Sequence, residues 1–218
     1  MILIGVLNSK GGVGKTTLTT ALSVRAARDF QRVGIVDLDP QASATRWFDL
    51  RKEKGNPTVL RGVAIASEAI EALGQTGWDV IFFDGAPGLL EITEDAAKTV
   101  DLVVIPLRSG DSNIAATEHT IAACKEFDTA FLMVINEIAR ENDRHAADTE
   151  QALISLGFPV AKRRLMRRVA YQTAPDVGKT GPELDGGRDV KAVEEIDELY
   201  VEVMAAARKA IKKKRGGR

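Results

Sequence analysis

Residues Lys10-Gly11-Gly12-Val13-Gly14-Lys15-Thr16-Thr17 have the types and spacing needed to grip a triphosphate. Glycines let successive backbone N–H groups converge on phosphate oxygens, and a helix opening at the end of the loop adds the positive end of its dipole. In such a loop Lys15 reaches the β- and γ-phosphates, and the Thr16 hydroxyl ligates Mg²⁺. The loop departs from the usual pattern twice: Ser9 stands where its first glycine normally lies, and a second lysine, Lys10, stands at its mouth. Three carboxylates complete the set. The runs Val36-Asp37-Leu38-Asp39-Pro40-Gln41 and Phe83-Asp84-Gly85-Ala86-Pro87 each leave an apolar stretch with an acid. Beside a phosphate loop, Asp84 is the acid expected to hold the Mg²⁺ shell, with Asp37 reaching the ion through water. Asp39 or Asp37 is placed to orient an attacking water, while Lys15 and the metal stabilise charge on the γ-phosphate. A lone strand-end aspartate is as readily a helix cap, but three on one sheet edge beside this loop argue for phosphoryl transfer. No Ser–His–Asp or metal-ligand cluster competes, and His119 and His145, both in helical patterns, read as surface residues.

These residues need a scaffold that brings strand ends together. Short apolar runs at Leu3–Leu7, Val33–Val36, Val80–Phe83, Leu102–Ile105 and Phe131–Ile135 are Val/Ile-rich with little polar alternation, as strands covered on both faces are. Between them, helical spacing covers Thr16–Phe30, Ala42–Lys54, Ile65–Leu73, Ile114–Phe127 and Ala146–Leu156, and a last helix runs from Val190 to Lys213. The alternation predicts an α/β fold: a doubly wound, mainly parallel sheet with helices on both faces. Right-handed crossovers then place every strand C-terminus on one edge, where ligands bind. The turn-rich stretch Gly178 to Gly187 reads as a mobile surface loop.

Composition narrows the class. A chain of 218 residues, 44% hydrophobic and 28% charged, is expected to form one domain over 1–218 with a basic tail from about 208. No run approaches the ~18 apolar residues of a membrane span. The N-terminus shows no signal-peptide pattern, since Met1 leads straight into the first strand, and no N-terminal helix-turn-helix domain is expected. Cys124 is the single cysteine, which excludes an internal disulfide and suits a reducing cytoplasm; its apolar helical context makes it a packing residue. The net charge of −1 hides an uneven distribution: Lys162–Arg168 is strongly basic, Glu183 to Glu202 mostly acidic, and the tail from Lys209 onward basic.

Taken together, the 10–17 loop, the Asp37-Leu38-Asp39-Pro40 run and the Asp84-Gly85-Ala86-Pro87 run resemble the ParA/MinD superfamily, the deviant Walker A ATPases. The likeness extends to Asp101–Leu107, a strand ending in proline and leucine, and to Ala174-Pro175-Asp176-Val177-Gly178-Lys179. It departs at Leu107-Arg108-Ser109-Gly110-Asp111, which lacks a proline that small members often carry. The resemblance implies an ATP-bound sandwich homodimer in which Lys10 crosses to the partner's phosphates, with Asp39 positioning the hydrolytic water. It implies ATP contacts along Lys10 to Thr17 and base contacts from Asn136, Met166 and Arg167. Paired cysteines, as in iron–sulfur members, are missing, and so is a tyrosine-rich tail of the autokinase kind. The double-lysine loop weighs against amide-forming synthetases. A MinD-type membrane switch needs a free amphipathic tail, whereas the part beyond Ile211 offers Lys and Arg but no bulky apolar residue. There remain the short ParA-type partition ATPases. These are ATP- and Mg²⁺-dependent, cytoplasmic and nucleoid-associated, and act with a small centromere-binding, ParB-like adaptor. Arg163, Arg164, Arg167, Arg168, Lys212, Lys213 and Lys214 are the candidates for non-specific DNA contact. Related short ATPases position protein cargos instead.

Overall fold

The computed structural model describes residues 1–216 apart from positions 54, 62, 63, 75, 76, 111–113, 116 and 188; residues 217 and 218 also lie outside the description, as does Asp111 of the departing loop. Six strands form one sheet in the order β3-β2-β4-β1-β5-β6. They are β1 (Ile2–Val6), β2 (Val33–Asp37), β3 (Thr58–Leu60), β4 (Val80–Asp84), β5 (Leu102–Leu107) and β6 (Ala130–Ile135). Every pairing is parallel, so the sheet is wholly rather than mainly parallel. β4 and β5 are buried at every position, as expected for strands covered on both faces.

The helices are α1 (Lys15–Ala26), α2 (Ser43–Leu50), α3 (Ala66–Leu73), α4 (Leu90–Thr99), α5 (Glu118–Glu126), α6 (Arg144–Ser155), α7 (Val169–Thr173) and α8 (Val190–Gly216). α8 lays Ile196, Leu199, Tyr200, Val203, Met204 and Ala207 on the same sheet face as α1, against Ile4, Phe82 and Val104. Burying each larger member of that stripe contributes roughly 1.5–3 kcal/mol. Cys124 packs with Ile121 and Ala123 in the core of the opposite face, and burial pushes its thiol up to about 12.

The stretch Gly178 to Gly187 is not a surface loop. Gly178, Thr180, Gly181 and Pro182 are buried, and the segment forms a 3₁₀ turn at Gly181–Gly186, just after another at Ala174–Val177. Thr180 and Glu183 make a reciprocal capping box there. His145 is exposed as expected, but His119 is only 30% exposed and lies 3.5 Å from Glu94.

Candidate nucleotide site

The pairing of β2 with β4 sets Asp37 directly beside Asp84, and β4 pairs with β1, whose end launches the phosphate loop. Three chemistry-bearing loops therefore leave the middle of the sheet side by side. Asp84 is fully buried. The Thr16 hydroxyl donates to its Oδ2 at 2.7 Å and the Thr19 hydroxyl to its Oδ1 at 2.9 Å. Burial pushes the Asp84 carboxyl up to about 7; the Thr16 bond opposes that shift and neighbouring Asp37 adds to it. Lys15 is 6% exposed and its Nζ donates to the Lys10 carbonyl at 3.0 Å. Burial lowers the Lys15 pKa, and Asp84 and Asp39 work in the other direction. Asp39 thus lies within electrostatic reach of the lysine that would touch the γ-phosphate. The oxygens of Thr16, Asp84 and Asp37 are the hard donors that Mg²⁺ takes.

Lys10 owes its place to a residue that sequence reasoning passed over. Asn8 is buried; its Nδ2 donates to the Pro106 carbonyl at 2.8 Å and its Oδ1 accepts the Lys10 N–H at 2.9 Å. An amide directly after an apolar strand was the available signal. The Lys10 side chain is partly exposed at the rim.

Beyond the loop opens a cavity of about 340 Å³ walled by Gly14, Thr17, Asn136, Met166, Arg167 and Tyr171, among others. Asn136, Met166 and Arg167, singled out by resemblance, thus surround one space that adjoins the start of α1. Asn136 Nδ2 donates to the Val13 carbonyl at 2.8 Å, which ties this wall to the phosphate loop. Arg168 lies in the Met166–Val169 loop that the resemblance brings to the base, whereas Tyr171 was not expected here. Both are held by the buried Glu195 of α8: Arg168 Nη2 donates to Oε1 at 2.6 Å and Tyr171 Oη to Oε2 at 3.1 Å. No local pattern marks that link, because it depends on α8 crossing the sheet.

The basic segment is largely neutralised. Arg163 pairs with Glu198, Arg164 with Glu150, and Arg168 with Glu195 and Asp189. The Glu202 carboxylate also accepts the N–H groups of Lys162 and Arg163. Arg167 is exposed at the cavity mouth. The helical tail lies at the other end of the sheet. Lys213 pairs with Asp128 at 3.0 Å, and Lys214 donates to the Val100 carbonyl at 3.0 Å, both just ahead of a strand start. Lys212 and Arg215 are exposed there.

A parallel sheet with a phosphate loop after β1 and acids closing β2 and β4 defines a P-loop nucleotide-binding domain. Residues 4–180 match the family model described as the CobQ/CobB/MinD/ParA nucleotide binding domain, and the chain belongs to that family. Among curated relatives it is 28% identical over 213 residues to the chromosome-partitioning ATPase Soj of Thermus thermophilus, covering 81% of this chain and 86% of Soj. It is 27% identical over 209 residues to the maintenance of carboxysome distribution protein A of Halothiobacillus neapolitanus, covering 92% and 95%. Among solved structures it is similar to MinD in the MinC:MinD complex of Aquifex aeolicus, with TM-score 0.75, 18% identity and 94% and 96% coverage. It is also similar to Cyanothece McdA, with TM-score 0.68, 15% identity and 97% and 99% coverage. At those identities the two structures speak for the fold.

Proposed function

We propose that this chain is a Mg²⁺-dependent ATPase that dimerises around ATP and drives partition of plasmid or chromosomal DNA. It would bind nucleoid DNA without sequence preference, and a small centromere-binding, ParB-like adaptor would trigger release. The observation that carries this reading is Lys10 at the rim of the phosphate loop, with Lys15 in that loop and Asp39 and Asp84 arriving beside it from the ends of β2 and β4. Mg²⁺, when bound, would neutralise charge on the β- and γ-phosphates. Thr16 would hold it, with Asp84 and Asp37 fixing its water shell. Lys15 would sit against the γ-phosphate, Asp39 would orient the attacking water, and Lys10 would reach the phosphates of the partner. Curated relatives named as a chromosome-partitioning ATPase and as ParA support the ATPase and the partition role.

Positioning of a protein cargo is the second reading. It is favoured by one observation: the carboxysome-distribution relative matches this chain nearly end to end. A MinD-type membrane role is the third, and among the described residues no helix is long and apolar enough to cross a membrane. Pull-down on sheared DNA and on anionic liposomes, each with and without ATP, separates the readings. ATP-dependent capture by DNA is expected; capture by liposomes alone would overturn the proposal.

Two expectations follow from the site. Lys10→Ala should leave the monomer folded and remove ATP-dependent dimers, as read by light scattering after size exclusion; normal dimers with normal hydrolysis would return Lys10 to the status of a surface lysine. Arg163 and Arg164 are half-buried in their ion pairs, whereas Lys212 is exposed and Lys213 and Lys214, though paired with Asp128 and Asp101, remain more open to solvent, which shifts the expected DNA contact toward the tail. Replacing Lys212, Lys213 and Lys214 together with alanine should weaken DNA binding by roughly tenfold or more at low salt and flatten its salt dependence. Arg163→Ala with Arg164→Ala should do less, and the opposite ranking would put the DNA surface back on that segment.

A further inference from the structure

Helix α2 begins directly after the Asp37–Gln41 run and is gripped at both ends. At its start, Asp37 Oδ2 accepts the Thr45 N–H at 2.8 Å, and the turn residue Ala42 carries a positive φ of 53°. At its far end, Arg51 is buried with 6% side-chain exposure. Its guanidinium forks onto Glu183, Nη1 to Oε2 at 2.9 Å and Nη2 to Oε1 at 2.6 Å, and Nη1 also donates to the Gly178 carbonyl at 3.2 Å. It lies 5.1 Å from the Trp47 ring, whose Nε1 donates to the Lys179 carbonyl at 2.9 Å. Gly178 is in the left-handed region, and a Cβ there would sit 2.2 Å from the Arg51 nitrogen, so the two backbones meet with no room between them. The segment so gripped continues from Tyr171 and Pro175, which wall the cavity beside the phosphate loop. The two ends of a seated nucleotide are therefore joined through α2 by a route that avoids the phosphate loop.

We infer that the Arg51–Glu183 pair is a positioning latch: it fixes α2, and through it Asp37 and Asp39, to the segment that walls the cavity. The inference rests on the hydrolytic reading above for its kinetic consequence, but not for its structural one. A buried pair that served stability alone would change the melting temperature and leave the chemistry of each folded molecule untouched. A latch sets where Asp39 stands relative to the γ-phosphate, and a misplacement of about 1 Å at a reacting group can cost ~10²-fold in rate.

The test uses the full chain with Arg51→Met and Glu183→Leu combined, since apolar residues of similar volume often replace a buried ion pair without loss of fold. Arg51→Lys, which keeps the charge but not the fork, serves as the second variant in case the first fails to fold. In nucleotide-free protein, amide exchange across residues 44–50 is expected to speed up ~10-fold or more while β1 and β4 stay protected. In the presence of Mg-ATP, kcat is expected to fall ~10-fold or more with the Kd for ATP within about threefold of wild type. Wild-type exchange in α2, or wild-type kcat in a folded variant, overturns the latch. A wild-type chain that neither binds nor hydrolyses Mg-ATP removes the ATPase reading instead, and the exchange result then decides the latch alone.

Discussion

Asp39→Ala is expected to leave Mg-ATP bound and ATP-dependent dimers intact while turnover falls by roughly 10²–10⁴-fold, the range typical for loss of a group that positions or accepts a proton in the transition state. The structure makes this a clean substitution. The Asp39 carboxylate makes a local bond: Oδ1 accepts the Gln41 N–H at 2.9 Å, a turn bond worth about 1 kcal/mol. The residue is only partly buried, so removing it opens no core cavity. Its charge acts on Lys15, the lysine proposed to touch the γ-phosphate. Asp39→Asn keeps an oxygen for the Gln41 N–H but not the charge, and should hydrolyse as poorly as the alanine variant. Single-turnover hydrolysis beside equilibrium binding of a fluorescent ATP analogue separates the two effects. Loss of binding in step with loss of turnover would mean that Asp39 shapes the loop instead of orienting water.

Gly14→Ala is expected to abolish nucleotide binding, with Kd weakened by at least about 100-fold, a loss of ~3 kcal/mol. Two costs coincide at this position. Gly14 has φ +91°, a conformation that L side chains rarely adopt and that costs them roughly 1–2 kcal/mol. An added Cβ would also lie 2.3 Å from Asn136 Nδ2. Asn136 would have to leave, breaking its bond to the Val13 carbonyl and displacing a wall of the cavity. The phosphate and base ends of the site therefore fail together. Gly11 is the internal control: its φ is not left-handed, and the nearest atom to an added Cβ is the Pro87 Cβ at 3.8 Å. Gly11→Ala should retain most of its affinity, and calorimetric titration with Mg-ATP would show the contrast. Equal affinities for the two variants would overturn this account of the loop.

How far the sequence could be read depended on where the forces act. Five of the six strands were legible because each is an unbroken apolar run buried on both faces. β3 was not: Thr58–Leu60 is three residues long, and only docking on the edge of β2 makes it a strand. α4 was missed because Glu91, Glu94, Asp95 and Lys98 dominate it, and its buried face is built from Thr93, Ala96 and Ala97. Two helix ends were overextended. α1 gives way to turns at Ala27 instead of continuing to Phe30, and α2 stops at Leu50, where Arg51 turns away into its ion pair. The candidate residues of the site could be picked out because each lies in a short run, 10–17, 37–41 or 84–87, whose residue types and spacing phosphate chemistry constrains. Asn8, Tyr171, Glu195 and the bond that ties Arg168 to Glu195 were not legible, because they depend on partners from about 20 to nearly 100 positions away. The same limit made Arg163 and Arg164 look like free cations, since the acids that neutralise them come from α6 and α8.

The sheet order carries a consequence for selectivity. β1 and β4, which bear the phosphate grip, are interior strands, while β6, which delivers Asn136 to the cavity, is an edge strand. Beyond β6, among the described residues, only the isolated bridges at Met133–Val160 and Ile138–Met166 continue the sheet. Edge elements open at lower free energy than the centre. In a nucleotide seated as proposed, the triphosphate would be held by the part of the molecule that melts last, and the base by a part that loosens earlier. On warming, discrimination among nucleotides should fade before the grip on phosphate does, so that the chain becomes promiscuous before it becomes inert.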